Sequence, residues 1–188
     1  MSNVVLTKNV TSDLVELVKQ LRLGETIILV DTAGQPLAIL VGISSALAQP
    51  RKIALVACVK EKSHMPMPAR DLFISNWFRK ASAYATRVAD EWYILSAKYG
   101  LVAPDTVIKP YDEPLNRMPV AARRAWAKRV LEDLGRVLQP GDQVMILAGK
   151  KYRENLVNPI QQMGCSVEIP MERLRIGEQL RWLKQQLE

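Results

Sequence analysis

One short segment of the sequence, residues 95–112, combines a carboxylate with hydroxyl, aromatic and lysine side chains. Strand-forming residues end at Leu95, and serine, lysine, tyrosine and glycine follow before the chain reaches Asp112. A carboxylate near the C1 carbon of a sugar stabilises the cationic, oxocarbenium-like state of hydrolysis, which a positioned water then attacks. We therefore predict that Asp112 is catalytic. Its alternative roles are to accept hydrogen bonds from loop amides or to pair with Lys98.

Two further residues are candidates for acid–base chemistry. Asp71 is the second carboxylate, and its alternative role is to cap the following helix or to pair with an arginine. His64 can donate a proton to a leaving base, whereas its Met-Pro-rich surroundings also fit a loop without catalytic function. The predicted catalytic set is therefore Asp112, Asp71 and His64.

Aromatic side chains in polar loops are suited to stack on an extruded base, at about 1–3 kcal/mol per base. Three tyrosines occupy such loops, whereas the four tryptophans have helix or strand positions that favour packing. The residues predicted to bind the substrate or base are Cys58, Ser96, Lys98, Tyr99, Gly100, Tyr111 and Tyr152.

Lysines follow each of the three main predicted strands. Because the carboxyl ends of parallel strands meet at one edge of a sheet, these lysines should converge there and attract phosphate, helped by helix N-termini. An arginine before the last helix could reach the same edge. The alternative is that these are solvated surface cations. The residues predicted to bind phosphate or DNA are Lys60, Lys62, Lys150, Lys151 and Arg175.

From residue 51 onward, strand and helix patterns alternate along the sequence. These predicted elements would position the candidate site residues. Apolar runs predict strands over residues 53–58, 92–95, 143–148 and 166–169. Helical periodicity and end signals predict helices over residues 76–89, 119–138, 152–163 and 176–187. This alternation is typical of an α/β domain with a mostly parallel sheet flanked by helices. We assign that domain to residues 51–188, as a catalytic or nucleic-acid-binding unit.

Residues 1–45 are predicted to form a separate helix-hairpin appendage. Helix caps near Thr11 and a stop at Gly24 bound a helical pattern, and β-rich runs over residues 26–30 and 36–41 flank a turn sequence. Residues 44–50 are the expected linker. The appendage could form a homodimer or pack on the main domain.

Composition narrows the class of protein. The 188 residues carry a net charge of +7, and residues 51–188 hold 23 basic against 15 acidic side chains, which favours a polyanionic partner such as nucleic acid. The chain contains no apolar run long enough to cross a bilayer, and its first residues do not resemble a signal peptide, so we expect a cytoplasmic protein without a membrane partner. Cys58 and Cys165 lack zinc-ligand spacing with the single histidine, and we predict no metal and no cofactor.

Several segments together resemble a known group of proteins. The runs LVACVKEK, PARDLF, WYILSAKYGLVAPDTVIKPYDEPL, ILAGKKYRENL and RIGEQLRWL resemble an uncharacterised prokaryotic domain family related to the YaaA-like peroxide-stress proteins. That group is similar in architecture to the uracil-DNA-glycosylase superfamily, although the Gly-Gln-Asp-Pro-Tyr-His signature of that superfamily is absent after the first strand. The run GETIILVDTAGQPLAILV resembles the front half of a prevent-host-death antitoxin module, a family that dimerises and binds DNA.

The resemblance implies a metal-independent DNA glycosylase in anti-phage defence. Its substrate would be a modified base, such as a hypermodified phage pyrimidine of the glucosylated hydroxymethylcytosine type, and its product would be an abasic site. Asp112 would then activate the attacking water or stabilise the cationic, oxocarbenium-like state. Tyr99 and Tyr111 would shape the base pocket. The phosphates would be held by Lys60, Lys98 and Lys150. The alternatives are a non-catalytic YaaA-like DNA-binding or regulatory protein and a nucleoside ribosyltransferase.

Overall fold

The computed structural model describes residues 2–6, 26–31, 33–41 and 50–188, which belong to two compact units, Met1–Gln49 and Pro50–Glu188. In the first unit, β2 (Thr26–Val30) pairs antiparallel with β3 (Pro36–Val41), which confirms the predicted hairpin. Asp31 Oδ1 accepts the N–H groups of Ala33 and Gln35 at 2.9 and 2.8 Å and so closes its turn.

A third strand of this unit was not predicted. β1 (Ser2–Leu6) pairs in parallel with β2. Two strands of a hairpin are joined by a short turn that can be recognised in the sequence. Parallel strands such as β1 and β2 are joined by a long connection, which gives no such signal. The predicted helix between residues 11 and 24, and the predicted linker up to residue 49, lie outside the described residues.

A five-stranded sheet forms the centre of the second unit, in the order β10-β9-β4-β6-β7. Its strands are β4 (Lys52–Ala57), β6 (Glu91–Ser96), β7 (Gly100–Val102), β9 (Gln143–Leu147) and β10 (Ser166–Glu168). All neighbouring pairs are parallel except β6 and β7, which form a short antiparallel hairpin. The central strand β4 and its neighbour β9 are apolar along almost their whole length and buried, as expected for strands covered on both faces. The predicted α/β fold with a mostly parallel sheet is confirmed.

Helices and short irregular elements surround this sheet. They are α1 (Ala69–Leu72), α2 (Asn76–Val88), α3 (Val120–Val137), α4 (Lys150–Arg153), α5 (Val157–Gln162), α6 (Ile176–Leu187), a 3-10 turn (Leu115–Arg117) and the antiparallel pair β5 (Met67–Pro68) and β8 (Val107–Ile108). The final helix has the predicted bounds. α2 begins where the Ser75 hydroxyl accepts the N–H of Phe78 at 3.2 Å, a standard N-cap interaction.

The prediction of a single helix over residues 152–163 is wrong. The chain forms α4 and α5 with a turn between them. In one continuous helix, Pro159 could not donate to the carbonyl of Asn155, and its ring would clash with that carbonyl. In the observed structure Pro159 lies in the first turn of α5. The N–H groups of a first turn have no acceptor within the helix, so the missing N–H of proline costs no helical hydrogen bond there.

A cluster of charges fixes the start of three strands, opposite the edge where they end. Arg51, just before β4, donates to Asp142 Oδ2 at 2.7 Å and to Glu91 Oε1 at 3.0 Å. Asp142 precedes β9 and is buried, and Glu91 begins β6. Burial alone would raise the pKa of Asp142, but hydrogen bonds from Arg51 and the Gln139 N–H hold it below its ordinary value. This cluster aligns the strands that carry the candidate site.

Candidate active site

The carboxyl ends of β4, β6 and β9 lie side by side, because these strands are adjacent and parallel. Ligands of open α/β sheets bind at such an edge, here called the carboxyl edge. A cavity of about 270 Å³ opens there. Its lining residues are Cys58, Val59, Lys60, Lys62, Asp112, Glu113, Pro114, Leu115, Asn116 and Tyr152.

Half of this lining was predicted from the sequence, namely Cys58, Lys60, Lys62, Asp112 and Tyr152. The wall formed by residues 113–116 was missed, although it follows Asp112 directly. Its backbone turns into the 3-10 turn, where the N–H of Arg117 donates to the carbonyl of Pro114 at 3.0 Å. Glu113 and Asn116 could have been identified as polar neighbours of the candidate carboxylate.

Lys62 is half-buried in the cavity wall. Its Nζ donates to the main-chain carbonyls of Val59 at 3.0 Å and Lys60 at 3.3 Å. The same atom lies 4.4 Å from the centroid of the Tyr111 ring. Burial lowers the pKa of Lys62, although the acidic groups of Cys58 and Asp112 act in the opposite direction. Lys62 is thus a half-buried cation, unlike the exposed Lys60.

Tyr111, which directly precedes the cavity-lining Asp112, is anchored by the last residue of β6. Its hydroxyl and the fully buried Ser96 Oγ are 2.7 Å apart, and Ser96 Oγ also accepts the N–H of Tyr99 at 3.1 Å. The Ser96 carbonyl accepts the indole N–H of Trp126 at 2.8 Å. Burial raises the pKa of Tyr111 well above its ordinary value. The position of Asp112, the next residue, depends on this anchor.

The floor of the cavity contains a buried thiol and a second phenol. Cys58 Sγ and the hydroxyl of Tyr152 are 3.1 Å apart. Tyr152 belongs to α4, and its ring packs edge-on against Trp126 with centroids 5.6 Å apart. Burial raises the pKa of Tyr152 well above its ordinary value. Because the Tyr152 ring is packed in this way, it is not the free loop ring expected from the sequence, and it contributes polar floor rather than a stacking face.

Tyr99 and Lys98 lie on the surface next to this anchor. Tyr99 is 38% exposed, and its ring meets the Tyr111 ring edge-on with the centroids 5.4 Å apart. Lys98 Nζ lies 3.7 Å from Glu113 Oε1 and 5.6 Å from the centroid of the Tyr99 ring. Among the described residues, the ion pair of Lys98 is therefore with Glu113, and the alternative pairing with Asp112 is wrong.

Gly100 has a conformational role. Its φ of +76° is in the left-handed region that glycine adopts without strain, and it begins β7 directly opposite Ser96. The loop predicted after β6 is thus a tight hairpin. Gly100 turns the chain so that Ser96, Tyr99 and Tyr111 come together.

Other predicted site residues lie outside the cavity lining. His64 is exposed in the loop before β5. Asp71 lines a second cavity of about 470 Å³, where it lies 3.8 Å from Arg70 Nε, as in its predicted arginine-pairing role. Arg175 is exposed at the N-cap of α6, where its N–H donates to Glu178 Oε2 at 2.7 Å.

The lysines after β9 are on the surface. Lys151 Nζ donates to the carbonyl of Asn116 at 2.7 Å, which brings it beside the cavity wall. Lys150 begins α4 and is exposed. Both are accessible to a polyanion approaching the carboxyl edge.

Two general features of the described part of the chain bear on the type of site. Across residues 2–6, 26–31, 33–41 and 50–188, no three His, Cys, Asp or Glu side chains are grouped so that they could hold a metal ion. In the same ranges, none of the helices has the length and apolar character needed to cross a membrane.

Comparison with known proteins identifies the family. Residues 53–185 match the model of a "Family of unknown function (DUF6884)". "Uncharacterized protein YfjM" of Bacillus subtilis (strain 168) is 28% identical over 119 residues, which cover 56% of this chain and 75% of YfjM. No solved structure matches the chain. The matched residues include the whole cavity lining, and the chain belongs to the DUF6884 family.

Proposed function

We propose that the domain is a DNA glycosylase, which hydrolyses the N-glycosidic bond of a modified base and leaves an abasic site. The observation that supports this proposal is the cavity at the carboxyl edge, which is lined by the carboxylate of Asp112 and by the cations Lys60 and Lys62. Our candidate substrate is a hypermodified phage pyrimidine, such as glucosylated hydroxymethylcytosine, and the proposed role is anti-phage defence in the cytoplasm.

The size of the cavity supports a substrate no larger than a nucleoside. Its volume of about 270 Å³ is close to the lower end of ligand pockets, which run from about 300 to 1,000 Å³. A base inside a duplex cannot reach such a cavity, so it must be extruded, at a cost of a few kcal/mol. Hydrogen-bonding groups at the walls, those of Cys58, Tyr152 and Asn116, are available to the edge of an extruded base.

The proposed chemistry assigns Asp112 to the sugar. Its side chain is exposed at the cavity wall and therefore accessible to the C1′ carbon of a bound nucleotide. As the base departs, positive charge develops on C1′ and the ring oxygen, and a carboxylate stabilises that charge more strongly than it stabilises the neutral substrate. The base leaves with the electron pair of the broken C1′–N bond, and water forms the new C1′–O bond as one of its protons passes through solvent to the departing base.

Surface charge supports a DNA substrate. Residues 51–188 carry 23 basic and 15 acidic side chains. Lys60, Lys150 and Lys151 are exposed along the carboxyl edge and can contact phosphates on both sides of an extruded nucleotide. The exposed Tyr99 ring can stack on a neighbouring base. Binding should therefore weaken steeply with salt concentration.

The sequence resemblances support the same proposal. We propose that this DUF6884 domain is distantly related to the YaaA-like proteins and the uracil-DNA-glycosylase superfamily, on the basis of the segments around Ser96 and Asp112. We further propose that residues 1–45 form an antitoxin-like unit that brings two chains together on DNA. Dimerisation would then increase affinity for DNA by offering two cavities to one duplex.

The test is a search for released bases. The purified full chain is incubated with genomic DNA from phages that carry modified bases, and free bases are measured by mass spectrometry. We expect release by the wild type and a loss of about 100-fold or more in Asp112→Asn, with DNA binding retained. Asp105→Asn is the matched control, because Asp105 is exposed and pairs with Arg70 outside the cavity.

Each outcome discriminates between functions. Absence of base release from the whole panel would overturn the proposal. DNA binding unaffected by Asp112→Asn would then favour a non-catalytic binding protein, and salt-insensitive binding of free nucleotides would favour a nucleoside enzyme such as a ribosyltransferase. Full activity of Asp112→Asn would refute the assignment of Asp112.

A further inference from the structure

The partly buried environment of Lys62 is not needed for binding a phosphate. A lysine that only contacts phosphates gains from exposure and a flexible stem, as at Lys60 or Lys150. Lys62 is instead half-buried, and two main-chain carbonyls hold its Nζ at 3.0 and 3.3 Å. The backbone around it is also fixed, because Lys62 forms a β-bridge with Phe73.

This arrangement suits an amine that can lose its proton. Both carbonyl hydrogen bonds use N–H groups that a neutral amine retains, so deprotonation leaves them in place and creates a lone pair. The Tyr111 ring, 4.4 Å away, favours the charged form, whereas burial favours the neutral one and lowers the pKa of Lys62. Lysines desolvated in this way are the nucleophiles that form imines with carbonyl compounds.

The same cavity contains the carboxylate of Asp112. We propose that Lys62 is the nucleophile of a second activity, in which its amine forms an imine with the C1′ aldehyde of an abasic deoxyribose and the DNA strand is then cleaved. This inference rests on the proposed function for its substrate, since base removal generates the abasic sugar beside Lys62.

The proposed steps balance without an added oxidant or reductant. The Nζ lone pair adds to C1′, and the aldehyde oxygen leaves as water after taking one proton from the amine and one from solvent, so that a protonated C=N bond replaces C=O. Asp112 accepts a proton from C2′, and the electrons of that C–H bond are drawn toward the iminium. The C3′–O bond then breaks with the phosphate as the leaving group. Water hydrolyses the imine and restores the amine.

The test is reductive trapping on a preformed abasic site. The full chain is incubated with a duplex that contains one abasic deoxyribose, in the presence of sodium borohydride, which reduces an imine to a stable secondary amine. We expect a covalent protein–DNA adduct, and we expect peptide mapping by mass spectrometry to identify Lys62 as the modified residue. Because the modified residue is identified in the wild-type protein, this result does not depend on whether any variant folds.

Two variants complete the experiment. Lys62→Arg keeps the positive charge but cannot form the imine, so trapping should fall to background while duplex binding is retained. Lys184→Arg is the matched control, because Lys184 is exposed on α6 and pairs with Glu188 at 3.6 Å. It should trap as the wild type does.

The outcomes separate this inference from the glycosylase proposal. Absence of an adduct, or an adduct at the N-terminal amine or at another lysine, would overturn the inference even if bases are released. An adduct at Lys62 without base release from any modified DNA would support the inference and overturn the glycosylase proposal.

Discussion

Removal of the Ser96 hydroxyl should loosen the residue that precedes the candidate carboxylate. Ser96 Oγ contacts the Tyr111 hydroxyl at 2.7 Å and accepts the N–H of Tyr99 at 3.1 Å, and Ser96 is fully buried. In Ser96→Ala both groups lose the Ser96 oxygen, at about 1–3 kcal/mol for a group left without a partner, and the Tyr111 hydroxyl keeps its contacts with Cys58 and the Ala97 backbone. Tyr99 is at the surface, so its N–H can recover part of that cost from water. We therefore expect Ser96→Ala to lower the free energy of unfolding by about 2 kcal/mol.

A double-mutant cycle isolates the contact between the two hydroxyls. Tyr111→Phe removes the phenol oxygen and keeps the ring that contacts Tyr99. It should cost about 1–2 kcal/mol. In the double variant the shared hydrogen bond is lost only once, so the combined loss should be smaller than the sum of the single losses by about 1 kcal/mol.

The assay is urea unfolding of the full chain, followed by tryptophan fluorescence. All four tryptophans lie within residues 77–182, so fluorescence reports on the unit that contains the cavity. Ser96→Ala should lower the free energy of unfolding measured in urea by about 2 kcal/mol. The same fluorescence followed during heating should show a melting temperature lower by about 6 °C, at about 3 °C per kcal/mol for a domain of this size. A coupling energy near zero would refute the claim that Ser96 anchors Tyr111.

Two further predictions concern the scaffold of the site. Asp142→Asn should lower the free energy of unfolding by about 2 kcal/mol at pH 7, because it removes the charge that Arg51 contacts in a partly buried ion pair. The pKa of Asp142 is lowered in the folded protein, so this stabilisation is complete above the unfolded value of about 4 and is lost as the pH falls below it. Urea unfolding of wild type and variant at several pH values should thus show a difference that shrinks in acid, and a constant difference would contradict the reasoning. Gly100→Ala should cost about 1 kcal/mol through its φ of +76° alone, because an added Cβ would lie at an ordinary 3.8 Å from its nearest neighbour, Asp133 Oδ2. A change in melting temperature within experimental error would contradict this.

Elements with strong local patterns were predictable from the sequence. The hairpin of β2 and β3 has β-rich runs around a turn that Asp31 closes, and the structure confirms both strands with their predicted bounds. The strands β4, β6 and β9 are marked by apolar runs that end in polar residues. Because a helix lies between successive strands, the strands are expected to run parallel. It could therefore be predicted that their carboxyl ends meet at one edge of the sheet.

Features that depend on distant partners or on backbone detail were not predictable in this way. β1 has its partner about twenty residues further along the chain, and nothing local marks the pairing. The β6–β7 hairpin looked like a loop because Gly100 supplies a turn within a polar run. The burial of Tyr152 depends on Trp126 from α3, which no spacing in the sequence indicates.

The candidate carboxylate therefore has a position set by contacts rather than by an element of its own. Asp112 lies outside every helix and strand, but Tyr111 is tied to the last residue of β6, and the 3-10 turn begins three residues after Asp112. Side chains on loops are held precisely only when neighbouring contacts restrain them. Two contacts provide those restraints. Ser96, at the end of β6, contacts Tyr111, and Lys151, which follows the end of β9, donates to the carbonyl of Asn116. For this reason a variant of Ser96, which does not line the cavity, should lower the base release that we propose for Asp112 as well as the stability of the domain.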